Sequence, residues 1–289
     1  MKVIEMDLSS YSAVKPGTPV HLLFIHETAG AQLMAGKGPD MGEPGILKTH
    51  PNGGGLRALL SGNNYIVHEA AEGSKLGGAG DVGHWGRIFL HQMETILRTK
   101  RQDMPHSDGT RNRVVMFQSG PASSWIDGDG TEPGKPDGKE KTLANYKAVY
   151  RSLLACFRLE PETLFVAVTA PPLVKPQPAQ GIISRILGRS GQNPIDEAGK
   201  RIRAFNNWLK GAQSGWLNGY PLKNVVVFDC FDVLTCYGAS NWLRYPSGPL
   251  RGNLPSAEGN AAVARDFVPF INRAWNRMTQ IPMSARGAA

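Results

Sequence analysis

Five short apolar runs punctuate this chain, and between them apolar residues return at helical spacing. The runs are Val20 to Ile25, Asn64 to Val67, Arg113 to Phe117, Leu164 to Val168 and Asn224 to Phe228. Continuous apolar stretches of this length are what strands covered on both faces look like, which is the situation in a parallel sheet. Helical periodicity is carried by Ile88, Phe89, Met93, Ile96 and Leu97, then by Leu143, Tyr146, Tyr150, Leu153 and Phe157. It returns in Ile202, Phe205, Trp208 and Leu209, and last in Val263, Phe267, Phe270, Ile271 and Ala274. Ser256 suits the N-cap of the last helix, and Pro269 removes a donor inside it and is expected to kink it. Strands alternating with helices predict one α/β domain around a parallel sheet. We place it at 19–280, after an N-terminal arm at 1–18 and before a C-terminal tail at 281–289.

The intervening segments are rich in glycine and proline. Gly30 to Gly55 holds too little apolar surface to pack as a helix and reads as a long loop, a type that is usually functional or mobile. Gly73 to Gly83 and residues 121–139 read as further turns and surface loop. In an insertion from Val174 to Asn193, Ile182, Ile183, Ile186 and Leu187 alternate with Arg185 and Arg189 as in a short amphipathic helix.

Composition narrows the class. The chain has 289 residues, 41% hydrophobic and 19% charged, enough for a sizeable core in an ordinary globular protein. No apolar run approaches the roughly 20 residues that span a bilayer, and the N-terminus lacks a signal-peptide core. The expectation is a soluble, cytoplasmic chain with no membrane span. The net charge of +8 comes from 32 basic and 24 acidic residues. The basic residues are scattered rather than interleaved with aromatics, which argues against a nucleic-acid partner. Cys156, Cys230 and Cys236 cannot all pair within one chain and lack metal-ligand spacing.

Ligands of open parallel sheets gather at the carboxyl ends of the strands. Here those ends carry His26-Glu27-Thr28, then Asp81, Gly83 and His84, Ser119-Gly120, Thr169, and Asp229. Each set could also simply cap its turn. His26, Glu27, His68 and His84 are a conceivable metal set by proximity alone. The remaining histidines, His21, His50, His68, His91 and His106, show no ligand spacing to each other. Trp85, Trp125, Tyr237 and Trp242 could stack on a sugar or pack in the core. Gly53-Gly54-Gly55 lacks the lysine and serine of a phosphate-binding loop.

Taken in order, Phe24-Ile25-His26-Glu27-Thr28-Ala29-Gly30, Gly53-Gly54-Gly55-Leu56-Arg57, Asp81-Val82-Gly83-His84-Trp85, Val168-Thr169-Ala170-Pro171-Pro172, Phe205-Asn206-Asn207-Trp208-Leu209, Val227-Phe228-Asp229 and Pro255-Ser256-Ala257-Glu258-Gly259-Asn260 resemble a bacterial branch of the SGNH (GDSL-type) hydrolase superfamily. The resemblance covers about residues 18–278. It implies a flavodoxin-like three-layer α/β/α sandwich with a five-stranded parallel sheet in order 2-1-3-4-5. It also implies an ancestry in ester hydrolysis, a small-molecule ester or carbohydrate ligand, and no metal or other cofactor.

The departures fall on the chemistry. The branch's first motif resembles Phe-Ile-His-His-Ser, with serine as nucleophile, and Thr28 stands in the serine's place. The third motif usually brings an asparagine to the oxyanion hole, and the stretch here ends Ser119-Gly120-Pro121-Ala122. The last motif resembles Asp-Ser-His-Pro, and this chain reads Gly252-Asn253-Leu254-Pro255, so that Gly252 replaces the acid and Leu254 the base. A hydroxyl nucleophile needs a base within hydrogen-bond reach. The sequence therefore predicts a degenerate triad at Thr28, Ala122, Gly252 and Leu254, in a non-hydrolytic binding protein or an impaired esterase. The alternative is an active ester hydrolase in which Thr28 is served by His84, oriented by Asp81, or by His26. Gly83 would then supply an oxyanion donor.

Overall fold

The computed structural model describes residues 6–77, 82–176, 194–247 and 252–280. Its centre is a sheet in which Val20–Ile25 (β1) lies between two parallel neighbours. The small strands Gly36–Lys37 (β2), Met41–Glu43 (β3) and Ile46–His50 (β4) form a separate three-stranded sheet in order β2-β4-β3. Tyr65–Ala70 (β5) pairs with β1 on one side, continued by Thr99–Arg101 (β6) and Met104–Pro105 (β7). On the other side follow Val114–Gln118 (β8), Leu164–Val168 (β9) and Val225–Phe228 (β10). The five apolar runs thus stand in the order β5-β1-β8-β9-β10, all parallel, which is 2-1-3-4-5 counted along the chain.

Eight α-helices are present among the described residues: Thr28–Met34 (α1), Leu56–Gly62 (α2), Val82–His91 (α3), Met93–Arg98 (α4), Leu143–Arg158 (α5), Pro194–Lys210 (α6), Cys230–Leu234 (α7) and Ala257–Thr279 (α8). Residues alternate across each strand, so each central strand feeds two cores. Leu23, Ile25, Val115, Phe117 and Phe165 face the side covered by α3, α5 and α6. Leu22, Phe24, Val114, Met116 and Val166 face the side covered by α1, α2 and α8. This is the three-layer α/β/α arrangement. Phe157 of α5 stacks on Phe165 with centroids 4.0 Å apart, the tightest ring contact of the first core. Helix α8 is capped by Ser256, whose hydroxyl accepts from the Gly259 N–H, and runs on through Pro269. None of the described helices is long and apolar enough to cross a membrane.

The structure departs from the sequence reading in several places. Among the described residues the sheet has seven strands, because β6 (Thr-Lys-Arg) and β7 (Met-Pro), too short or too polar to form an apolar run, extend one edge. The second apolar strand runs on to Ala70, taking in His68 and Glu69, which the polarity of those residues concealed. The stretch Gly30 to Gly55 is no single loop. It begins inside α1, where Ala29, Ala31, Leu33 and Met34 are buried, and it contains the three small strands. Gly30 belongs in that helix because a Cβ there would come within 2.4 Å of the His26 Cβ. A hairpin of Pro246–Ser247 (β11) and Gly252–Pro255 (β12) precedes α8. The amphipathic pattern at Ile182 to Leu187 lies outside the described residues, as does Asp81.

The glycine triplet is a packing device rather than a cradle. The N–H groups of Gly53, Gly54 and Gly55 donate to the carbonyls of His50, Gln32 and Ala35 at 2.8, 3.0 and 2.7 Å. With all three donors committed, none is left to bind a phosphate.

Candidate functional site

The first strand end is the candidate site, since β1 is central and its apolar run stops where the chain turns. Glu27 takes the N-cap position of α1, and Thr28 is its exposed first residue. Three strand ends meet here. Glu27 Oε1 accepts from the Gly120 N–H beyond β8 at 2.9 Å. The Thr28 hydroxyl donates to Glu72 Oε2 beyond β5 at 3.4 Å. The His26 N–H donates to the Ala70 carbonyl at 3.0 Å. Gly120 must remain glycine for this, since a Cβ would lie 2.2 Å from Glu27 Oε2.

Beneath this rim lies a buried ion network. His26 is 1% exposed, with Nε2 3.1 Å from Glu69 Oε2 and Nδ1 3.0 Å from the Glu27 carbonyl. Both ring nitrogens therefore face acceptors, and neither offers a lone pair to the Thr28 hydroxyl. Glu69 also receives Arg57 Nε at 2.7 Å. Burial pushes the Glu69 carboxyl up, but the hydrogen bond and charge of His26, with the Arg57 guanidinium, outweigh it and hold the group below the usual carboxylate range.

The other sequence candidates sit as follows. His84 is buried in the first turn of α3, and its Nε2 donates to the Leu76 carbonyl at 2.6 Å. Gly83 occupies the same first turn, where backbone N–H groups have no acceptor within the helix. Ala122 is exposed in the 3-10 turn Pro121–Ser124. Gly252 is exposed and Leu254 half-buried in β12, tethered through Asn253 Oδ1, which accepts from the Val174 N–H at 3.0 Å. Thr169 and Asp229 are joined to each other at 3.0 Å, and Asp229 caps α7, so these strand ends are occupied in holding the fold.

His68 does not share the crevice with His26, Glu27 and His84. It pairs with Leu23 in mid-strand and bonds His21 instead. Trp85 is core, packed on Phe117 and donating to the Ser119 hydroxyl at 2.7 Å. Trp125 and Trp242 form a half-buried tilted pair with centroids 6.5 Å apart, and Tyr237 is exposed and bonded to Asp266. Sequence reasoning missed Glu72. Its one signal was an acidic residue just past the second apolar strand, which is uninformative until the strand is known to end at Ala70.

No protein-family model matches the chain, and no curated protein matches it in sequence. Among solved structures it is similar to a catalytic mutant of an acetylxylan esterase from Geobacillus stearothermophilus, at 17% identity over 90% of this chain and 96% of that one, with a TM-score of 0.42. It is similar also to a carbohydrate esterase family 2 enzyme with a carbohydrate binding domain from Corynascus thermopiles, at 14% identity over 90% of this chain and 67% of that one, TM-score 0.38. A third is an aryl esterase from M. smegmatis, at 11% identity over 87% and 98%, TM-score 0.39.

Proposed function

We propose that this chain is an SGNH-hydrolase-like protein with a degenerate triad, which binds a small ester or carbohydrate in the strand-end crevice without hydrolysing it. The observation that carries the reading is the partner of Thr28. Its hydroxyl addresses the Glu72 carboxylate, whereas the nearby imidazoles of His26 and His84 are bonded elsewhere. A carboxylate is a poor base for an alcohol, because its proton affinity lies far below that of the alkoxide it would have to create. Gly252 and Leu254 bring neither an acid nor a base to the segment before α8. The family reading rests on the joint order of the sequence motifs together with the 2-1-3-4-5 sheet.

In the crevice, Glu27 and Glu72 offer acceptors to ligand hydroxyls. Loss of a triad base lowers turnover by about 10⁴ to 10⁶. A chromogenic short acyl ester is therefore expected to be cleaved by the parent no faster than by Thr28→Ala. The triple change Thr28→Ser, Gly252→Asp, Leu254→His is expected to raise the rate above both. His84→Ala is expected to leave the parent unchanged. Parent turnover of about 1 s⁻¹ or more that Thr28→Ala and His84→Ala both abolish would overturn the proposal in favour of an active esterase.

A further inference from the structure

Three histidines that play no part in the crevice converge on one face of the sheet. His21 is the second residue of β1, His68 lies in β5, and His106 follows β7. In the β1–β5 register His21 faces Ile66 and His68 faces Leu23, so the two rings are diagonal neighbours on one sheet face. His21 Nδ1 is 2.9 Å from His68 Nε2. The His106 ring stands edge-on to both, with centroids 5.4 and 4.6 Å away. One nitrogen from each ring lies within 4.8 Å of the others. Along β1, His21 lies roughly 16 Å from His26 at a strand rise of about 3.3 Å per residue, while His68, level with Leu23, lies about 10 Å from it.

We infer that His21, His68 and His106 form a binding site for one divalent transition-metal ion of the zinc class. The first argument is spacing. Nitrogens around a tetrahedral zinc at about 2.0–2.1 Å sit about 3.3 Å apart. The separations here, 2.9 Å for one pair and at most 4.8 Å for the others, straddle that value. Small rotations of the rings reach it. The second is an unmet need, because His106 Nε2 is buried and has no hydrogen-bond partner among the described residues. An orphaned buried nitrogen is costly unless something occupies it.

The third argument is orientation. His68 directs Nε2 at His21, and the backbone of Lys100 lies against the same ring, an outer support of the kind that metal-binding histidines commonly have. The surroundings suit a cation, since His68 is buried with its Nε2 already turned toward His21. Asp108 places a carboxylate charge near both His21 and His106, and Lys100 places a positive charge near His68. Three imidazoles select zinc, cobalt, nickel or copper over calcium or magnesium, and they leave a fourth position for water. A bound ion would tie β1, β5 and the segment after β7 together, and it would stabilise the fold by binding the native state alone.

The test uses the full chain stripped with a chelator and titrated with Zn²⁺ alone by calorimetry, and with Co²⁺ alone by visible absorption. The expected result is one ion per chain with a dissociation constant in the micromolar range or tighter, a tetrahedral Co²⁺ spectrum and a higher melting temperature with metal. His106→Ala and His21→Ala are each expected to weaken binding by about tenfold or more, and His91→Ala, on the exposed side of α3, not at all. If the variants fold poorly, imidazole ¹H–¹⁵N spectra of the parent decide, since zinc must shift the rings of His21, His68 and His106 and leave that of His91 in place. Absence of stoichiometric uptake, uptake undiminished in both variants, or shifts on other rings instead would overturn the inference.

Discussion

At the scale of single residues, Glu69 shows how the polar interior is organised. It is 5% exposed and bonded to both His26 and Arg57. Removing one member of such a network strands the other charges in a poorly solvated place, at a cost on the order of 3–5 kcal/mol. Glu69→Gln is therefore expected to lose stability of that order at pH 7. The pH dependence follows from the direction of the shift. Because the folded carboxyl titrates below its ordinary value, its contribution is complete above the unfolded pKa of about 4.3 and is lost as pH falls through the lower folded value. Urea unfolding of parent and variant over pH 7 to 2.5 should show the difference between them shrinking only in the acid part of that range. A constant difference would mean that Glu69 is held by packing rather than by charge. Single residues were also where the sequence was least legible. Positions 21, 68 and 106 are too far apart for any spacing rule, and Glu72 gains meaning only once β5 is seen to end beside the start of α1.

At the scale of elements, legibility followed length and burial. The strands β1, β8, β9 and β10 and the helices α5, α6 and α8 bury a full face, so their apolar periodicity marked them. The short strands β2, β3, β6 and β7 have mostly exposed or half-buried residues and gave no such signal. Helix α1 was hidden by its small residues, which let it lie close to the chain around it. The same closeness governs Gly54. A Cβ at that position would meet the Leu33 carbonyl oxygen at 2.8 Å and the Asn260 Cβ at 3.0 Å. The oxygen is backbone in α1, which cannot swing away as a flexible side chain would. Gly54→Ala is thus expected to push α1 and α8 apart and to cost about 1–3 kcal/mol, read as a lower midpoint in thermal unfolding. Gly62→Ala, where a Cβ would meet nothing within 4 Å, serves as the control and should leave the midpoint within error. Equal midpoints for the two variants would show that the α1–α8 approach tolerates an added methyl group.

At the scale of the whole molecule, the chain closes on itself through its last helix. Asn272 and Asn276 of α8 donate to the carbonyls of Ala13, Ser12 and Val14, and Tyr65 of β5 bonds Asn272 at 3.1 Å. The sheet order was legible because the motif resemblance carried it, while the added edge strands were not. Placing β1 at the middle of that sheet has a consequence for how the native state opens. The amide hydrogens of Leu22 to Ile25 are bonded between β5 and β8 and covered on both faces by helices, so they can reach solvent only when the whole sheet comes apart. Those of β6 and β7, at the margin, can escape by local fraying. Deuterium exchange should therefore proceed in β1 with the free energy of complete unfolding and much faster in Thr99 to Met104. His21 and Thr28 flank this slow-exchanging strand, one before it and one after. The crevice accordingly persists through partial opening of the edge, whereas the histidine cluster, whose third ring follows β7, loses His106 whenever that edge frays.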